Sequence, residues 1–468
     1  MAVERTPGIK LLFVALIGAA LVIPLLMVYG LVSDRQHQSR IAQQSITAGW
    51  GGEQVISGPV LVIPYIEERI QNEVVDGKTT TRTIRAREQL YLSPEQQKVA
   101  TTIDPDLKQR SIYSAVIYTA QLSGEARFSL TDDLSRLGIE REDLRLDEVE
   151  LRFGSSDPRG LQSDAEVTLN GEALVLKPGN GVAASGGSGF HAPLEWNGSD
   201  PLLIDWSYSL RGSHGLSLVP RGGNTDWQVR STWPHPSFVG SFLPDEEGKE
   251  ISADGFVANW SVSNLALGQA MAMTSDPGPP MITDGAVEYA QAAVIERAGA
   301  SGGPSMAATI RLVEPVDLYS RVDRAVKYGF LFIGFTFLAF FMFDVVGGAR
   351  VAAAEYLLTG AGLTLFFVLL LAFAEVIGFA LAYVVASAAI IGLLTAYSAA
   401  VLGSWMRARV IGALLVGLYA LLYVLLNLEA WSLLIGSVLL FVALAGVMYA
   451  TRKIDWSSVG RKAEEAET

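Results

Sequence analysis

Four histidines, no cysteines and scattered acids are the chain's raw material for catalysis. The histidines are His37, His191, His214 and His235. No two have the i, i+4 or H-E-x-x-H spacing that sets a pair of ring nitrogens on one helical face for zinc. Absence of Cys excludes disulfides, thiolate metal ligands and cysteine nucleophiles. No G-x-S-x-G elbow presents a nucleophilic serine, and RGGNTD, from Arg221 to Asp226, lacks the Lys-Ser/Thr ending of a phosphate loop. The expectation is a protein that is not an enzyme and carries no cofactor and no metal.

One string concentrates unusual chemistry: Trp233-Pro234-His235-Pro236-Ser237-Phe238. Two prolines fix φ on either side of the histidine and push Trp233 and His235 toward extended conformations. A stiff loop showing Trp, His and Phe could grip a glycan or a peptide. The plainer reading, which we favour, is a plug at one end of a β-sandwich with His235 bonded to backbone.

Acids near apolar segments form the second group: Asp344, Glu355, Glu375 and Glu429. A charge at the bilayer centre costs at least about 2.5–3.5 kcal/mol and marks function. These four fall at the ends of apolar runs, where a side chain reaches the membrane interface, and Asp344, Arg350 and Glu355 are expected to cluster there. Mid-span positions offer only groups such as Thr336, Thr364 and Ser387, which can bond back to their own helix. That pattern weighs against an ion-coupled pathway.

The elements that must carry these residues are of two kinds. From Lys327 to Ala450 the chain is almost continuously apolar, and a helix needs roughly 20 apolar residues to cross a bilayer core. Spans are expected at 9–32, 327–346, 353–373, 376–397, 408–427 and 430–450: one N-terminal signal anchor, then a five-helix bundle. Gly378, Ala382 and Ala386 give the fourth span a small-residue face for close packing, more within the bundle than between chains. Arg5, Lys10, Arg350, Arg407, Arg409, Arg452 and Lys453 lie in alternate breaks, whereas the breaks holding Glu375 and Glu429 have no Lys or Arg. The positive-inside rule then puts both termini and the tail 451–468 in the cytoplasm, and residues 33–326 outside it. Pro315, Asp317, Tyr319, Arg324, Lys327 and Tyr328 form the junction where that domain meets the membrane.

Residues 33–326 open with a polar helical stretch that stops at Gly49–Gly52. Beyond it, alternating segments rich in Thr, Val, Trp and Tyr predict a mainly-β, sandwich-like domain. Asn170-Gly171 is a hairpin turn signal, and the arms of SIYSAVIYTAQLSGEARFSL are expected to meet near Leu122–Glu125. The Gly-rich stretch 177–190 could split the domain into two lobes, and Ser275–Pro304 reads as a long surface loop. A net charge of −13 excludes nucleic acid as a partner.

Several strings resemble the CreD family of bacterial inner-membrane, cell-envelope-integrity proteins: RLVEPVDLYSRVDRAVKYGFLFIGFTFLAFF, STWPHPSFVGSFLP followed by GFVANW, WGGEQVISGPVLVIPY, and MYATRKIDW. The pattern departs at Glu355-Tyr356, where the family has Gln before Tyr, and at Glu375-Val376, where it has an acid followed by His. The resemblance implies a six-span protein of the Gram-negative inner membrane, linked to envelope stress and integrity, with a periplasmic domain. Together with tethering at both ends and the missing catalytic motifs, it leads to the expectation that this domain binds or supports a glycan, lipid or protein of the envelope. A lipid or small-molecule transporter, or a sensor acting through a partner, is the alternative.

Overall fold

The structure is a computed structural model describing residues 7–75, 78–281, 303–314, 318–345, 351–427 and 432–452. The chain divides into two compact units, Met1–Ile41 with Val316–Thr468, and Ala42–Pro315.

The helical unit contains α1 (Pro7–Ala48), whose last turns belong to the second unit, and then α2 (Leu318–Lys327), α3 (Gly329–Val345), α4 (Ala353–Ile377), α5 (Phe379–Val401), α6 (Trp405–Asn427) and α7 (Ser432–Thr451). Among the described residues, five stretches are long and apolar enough to cross a membrane: Leu12–Ala48, Leu318–Phe343, Ala353–Ile377, Phe379–Val401 and Trp405–Asn427. Six spans are expected from the sequence. The sixth, 430–450, coincides with α7, a helix that does not stand among these five. The class is as expected: apolar helices, one N-terminal and the others C-terminal, with a large β unit between them.

Small residues bring these helices close. Leu21 of α1 lies over Gly360 of α4, and Leu25 lies over Gly329 of α3. Ala382 and Ala386 on α5 are fully buried inside the bundle. Its centre is aromatic: the Tyr419 ring stands 4.5 Å from Phe366, and the Tyr383 hydroxyl donates to the Tyr419 carbonyl at 2.6 Å. Thr364 and Ser387 donate to Gly360 and Tyr383 of their own helices, the bland arrangement for mid-span hydroxyls.

The β unit is a two-sheet sandwich. In chain order its strands are β1 (Gln54–Val75), β2 (Lys78–Leu92), β3 (Gln96–Arg110), β4 (Tyr113–Phe128), β5 (Val149–Ser155), β6 (Glu166–Leu169), β7 (Glu172–Ala173), β8 (Lys177–Pro178) and β9 (Gly189–Leu194). They continue as β10 (Leu202–Ser213), β11 (Gly215–Val219), β12 (Asn224–Ser231), β13 (Pro236–Gly240), β14 (Glu250–Ser252), β15 (Gly255–Ser263), β16 (Ala272–Met273) and β17 (Ala308–Leu312). The first sheet runs β13-β17-β11-β1-β5-β9-β8, with β2 on β1 and β16 on β2; the second runs β14-β15-β12-β3-β4-β10-β6-β7. Two pairings are parallel, β1 with β11 and β3 with β12. The stretch 177–190 supplies β8, a 3-10 turn and the start of β9 in the first sheet.

Alternation drives this arrangement. Along β3 the side chains of Gln97, Val99, Thr101 and Ile103 turn inward while Gln96, Lys98, Ala100 and Thr102 turn out. Inward residues of both sheets form one core, in which Leu61, Ile63 and Leu151 face Val99, Leu122 and Trp227. Phe153 stacks on Phe190 at 4.9 Å and meets Trp206 edge-on at 5.7 Å, while Trp227 stacks on Trp260 at 4.6 Å.

Two turn expectations have opposite outcomes. Asn170 and Gly171 take φ of 49° and 88° between β6 and β7, the positive values that a tight two-residue hairpin demands. No turn occurs at Leu122–Glu125. β4 passes through without a break, and the hairpin lies at Ser111-Ile112, where Arg110 faces Tyr113. Gly124 serves packing instead: a Cβ there would meet Trp206 Cζ2 at 2.3 Å, so glycine makes room for the indole on the neighbouring strand.

Candidate functional site

The outward face of the second sheet forms a trough. Register fixes its rows: Val257, Arg230, Thr102 and Gln121 lie across β15, β12, β3 and β4, and the next outward row is Asn259, Gln228, Ala100 and Ser123. The first row belongs to a cavity of about 890 Å³, walled by Glu250, Ser252 and Asp254 of the β14–β15 hairpin. The second belongs to a cavity of about 710 Å³ that continues to Asp226, Asp205 and the Lys98–Glu125 ion pair, 2.7 Å long. Small residues on β3 and β4 make the floor low, while Gln228 and Asn259 stand beside it, joined by a 3.1 Å bond from Gln228 Nε2 to Asn259 Oδ1. Nothing in the periodicity of these strands distinguishes such a trough from an ordinary solvated face.

The Trp233–Phe238 string lies at the other sheet's edge. Pro236–Gly240 form β13, paired only with β17 on that path. Trp233 Nε1 donates to the Val313 carbonyl at 3.0 Å, and Val313 N donates to the His235 carbonyl at 3.2 Å. Phe238 packs edge-on against Phe256 and Trp260 at 5.7 and 5.6 Å. Pro234 and Ser237 are half-buried, and the His235 ring is exposed. His235 therefore acts here through its backbone.

The other histidines are dispersed. His37 is exposed on α1, and His191 Nδ1 lies 2.9 Å from the Gly179 carbonyl. His214 holds φ of 60°, and burial lowers its imidazole pKa, partly offset by Glu53. Among the described residues, no three His, Asp or Glu side chains converge to hold a metal ion.

In the helical unit, Tyr319 of the junction is buried and its hydroxyl donates to Glu375 Oε1 at 3.2 Å. Arg35 Nε of α1 approaches the same oxygen at 3.8 Å. Lys327 pairs with Asp323 at 2.6 Å and lies 5.9 Å from the Tyr29 ring centre. Arg324 is on α2, and Tyr328 is the break between α2 and α3. Glu355 caps α4, accepting the Ala352 N–H at 2.6 Å, where the helix dipole favours an acid. Asp344 falls on the last turn of α3. Pro315, Asp317, Arg350 and Glu429 lie outside the described residues. An apolar crevice of about 310 Å³ runs between α1 and α3, lined by Gly18, Val22, Gly334 and Phe337 among others.

Sequence reasoning missed a buried ion pair. Arg221 and Asp276 meet at 2.5 Å with side chains 1% and 6% exposed. Arg221 Nε also donates to Ser57 Oγ at 3.1 Å, and Asp276 accepts the Ala183 N–H at 2.5 Å. The start of the expected surface loop is thus pinned. Farther along, Gly278 N donates to the Gly303 carbonyl and Ser305 N to the Gly278 carbonyl; residues 282–302 lie outside the described set.

With this geometry in place, comparison with known proteins decides the family. The family model described as "Inner membrane protein CreD" matches residues 6–457. The chain belongs to the CreD family. Its similarity to Inner membrane protein CreD of Escherichia coli (strain K12) is 32% identity over 452 residues, covering 94% of this chain and 92% of that protein. CreD proteins are inner-membrane proteins, and the apolar helices make this member a multi-pass one in contact with the lipid bilayer.

Proposed function

We propose that this chain is a non-enzymatic envelope-integrity protein. In this reading it holds its β unit on the periplasmic side, with both termini cytoplasmic, and binds an envelope component along the outward face of the second sheet. The trough carries the reading: two adjoining cavities of about 890 and 710 Å³ on one solvated β face, within the range of ligand clefts. Sidedness draws support from Arg407 and Arg409 in the first turns of α6 against Glu375 in the last turn of α4, beside a break that has no Lys or Arg.

The native chain lacks cysteine, so single replacements report topology directly. Ser252→Cys in the β unit should react with a membrane-impermeant maleimide on cells whose outer membrane alone is opened. Ser404→Cys, between α5 and α6, should react only after lysis. The reverse labelling sinks the topology. For the role itself, a deletion strain should become sensitive to detergent and regain resistance with the full chain; unchanged sensitivity removes the envelope reading.

Lipid transport is the second reading, favoured by the apolar crevice between α1 and α3. It requires transbilayer movement of a labelled lipid in vesicles holding the full chain, and a Gly334→Phe change that fills the crevice should stop it.

A further inference from the structure

We propose that the trough takes an uncharged polysaccharide strand, a ligand class that rests on the binding role above. The floor strands have no free backbone: β3 is paired with β12 on one side and β4 on the other, and β4 in turn with β10. An extended peptide therefore cannot add itself as a strand on this face, and recognition falls to side chains. Those side chains are hydroxyls and amides at the centre: Thr102, Ser123, Gln121, Gln228 and Asn259. Groups of this kind both donate and accept, as a sugar hydroxyl or acetamido group requires of its partner.

The two amides are pre-set. Because Gln228 Nε2 gives one N–H to Asn259 Oδ1, the pair presents the Gln228 carbonyl oxygen as an acceptor and the Asn259 amide nitrogen as a donor. Holding one donor and one acceptor in fixed order lowers the cost of ordering them on a ligand.

Charge narrows the class further. One end carries Asp104, Glu250 and Asp254 against Arg230, and the other carries Asp205, Asp226 and Asp245 against the already paired Lys98. Polyanions such as phosphate-bearing glycans meet like charge at both ends, whereas carboxylates accept readily from neutral hydroxyls. Six residue steps along β3, from Lys98 to Asp104, give the trough a run of about 20 Å at roughly 3.4 Å per residue. That is room for a strand rather than a single sugar.

The test uses the full chain in detergent, with chitotetraose and cellotetraose as neutral probes and spermine as a cationic one, read by calorimetry. At least one neutral probe should bind, with little change between low and high salt. Ala100→Gln fills the floor without altering charge or core, and Asn259→Ala removes the fixed donor. Each should weaken binding by roughly tenfold or more, the worth of one or two hydrogen bonds, at unchanged melting temperature. Binding of spermine alone, abolished by salt, overturns the proposal; so does failure of both neutral probes on folded protein. Complementation separates this from the broader reading. If Ala100→Gln fails to restore detergent resistance although no neutral probe binds, the trough is a working surface and the polysaccharide class is wrong. If Ala100→Gln restores it fully, the trough is not the working surface.

Discussion

Trp233 and Val313 hold each other by two routes: the indole N–H of Trp233 donates to the Val313 carbonyl at 3.0 Å, while the Val313 N–H reaches the carbonyl of His235 two residues farther on. The proline-rich turn thus closes around the chain just past β17, immediately before the β unit ends at Pro315.

Trp233→Phe keeps an aromatic ring but removes the donor and part of the packed side chain. It should lower stability by at least about 1 kcal/mol, the usual net worth of such a bond, seen as an earlier thermal transition in the full chain. His235→Ala should leave that transition in place, because the exposed ring contributes nothing that its backbone does not. Loss of function in a well-folded His235→Ala protein would overturn the structural role and make the ring a binding group.

His214 sets an acid limit. Its folded pKa lies below the ordinary value of about 6.5, so the folded chain holds fewer protons there than the unfolded chain. Stability from this group is fully present above about pH 6.5 and falls as pH drops toward the folded value. Asn tolerates the positive φ of 60° that His214 adopts, so His214→Asn should flatten the decline between about pH 7 and about pH 5 without unfolding the turn. Melting curves across that range decide it; an unchanged slope would assign the acid sensitivity elsewhere.

Arg221 and Asp276 are coupled by burial. Asp276→Ala leaves a buried guanidinium without its partner and should cost about 3–5 kcal/mol. Arg221→Met combined with Asp276→Leu removes both charges and should recover much of that loss. Additive losses in a double-mutant cycle would show that the two residues act independently.

Gly360 sets how near α1 comes to α4. A Cβ at this position would meet Leu21 Cδ1 at 2.0 Å and Phe337 Cζ at 3.0 Å. Gly360→Ala should therefore cost about 1–3 kcal/mol through overpacking, measured as a lower melting temperature in detergent. Adding Leu21→Ala should return part of it. No rescue would place the strain outside this contact.

Local patterns made most of the architecture readable. The apolar runs gave helices, the alternation of residues such as Val99 and Ile103 gave strands, and Asn170-Gly171 gave its hairpin because only a few residue types accept positive φ. Gly124 misled because glycine has two uses, and a packing glycine beneath Trp206 looks the same in sequence as a turn. The Arg221–Asp276 pair joins residues far apart in the chain, so no spacing could signal it. For the trough, hydroxyls and amides on alternate positions are what any wet β face shows; only the register of four strands gathers them.

The two parallel pairings govern when this domain can become a domain. β1, beginning at Gln54, shares its sheet with β11 and, beyond it, with β17, which ends at Leu312. β3 likewise waits for β12. Such distant partners must be found after long loops have closed, the condition that makes β folding slow. The first strands made therefore keep an edge open until β11 and β12 have been synthesised, and β11 in turn waits for β17. A chain built this way relies on being kept apart from its neighbours until its last strand arrives.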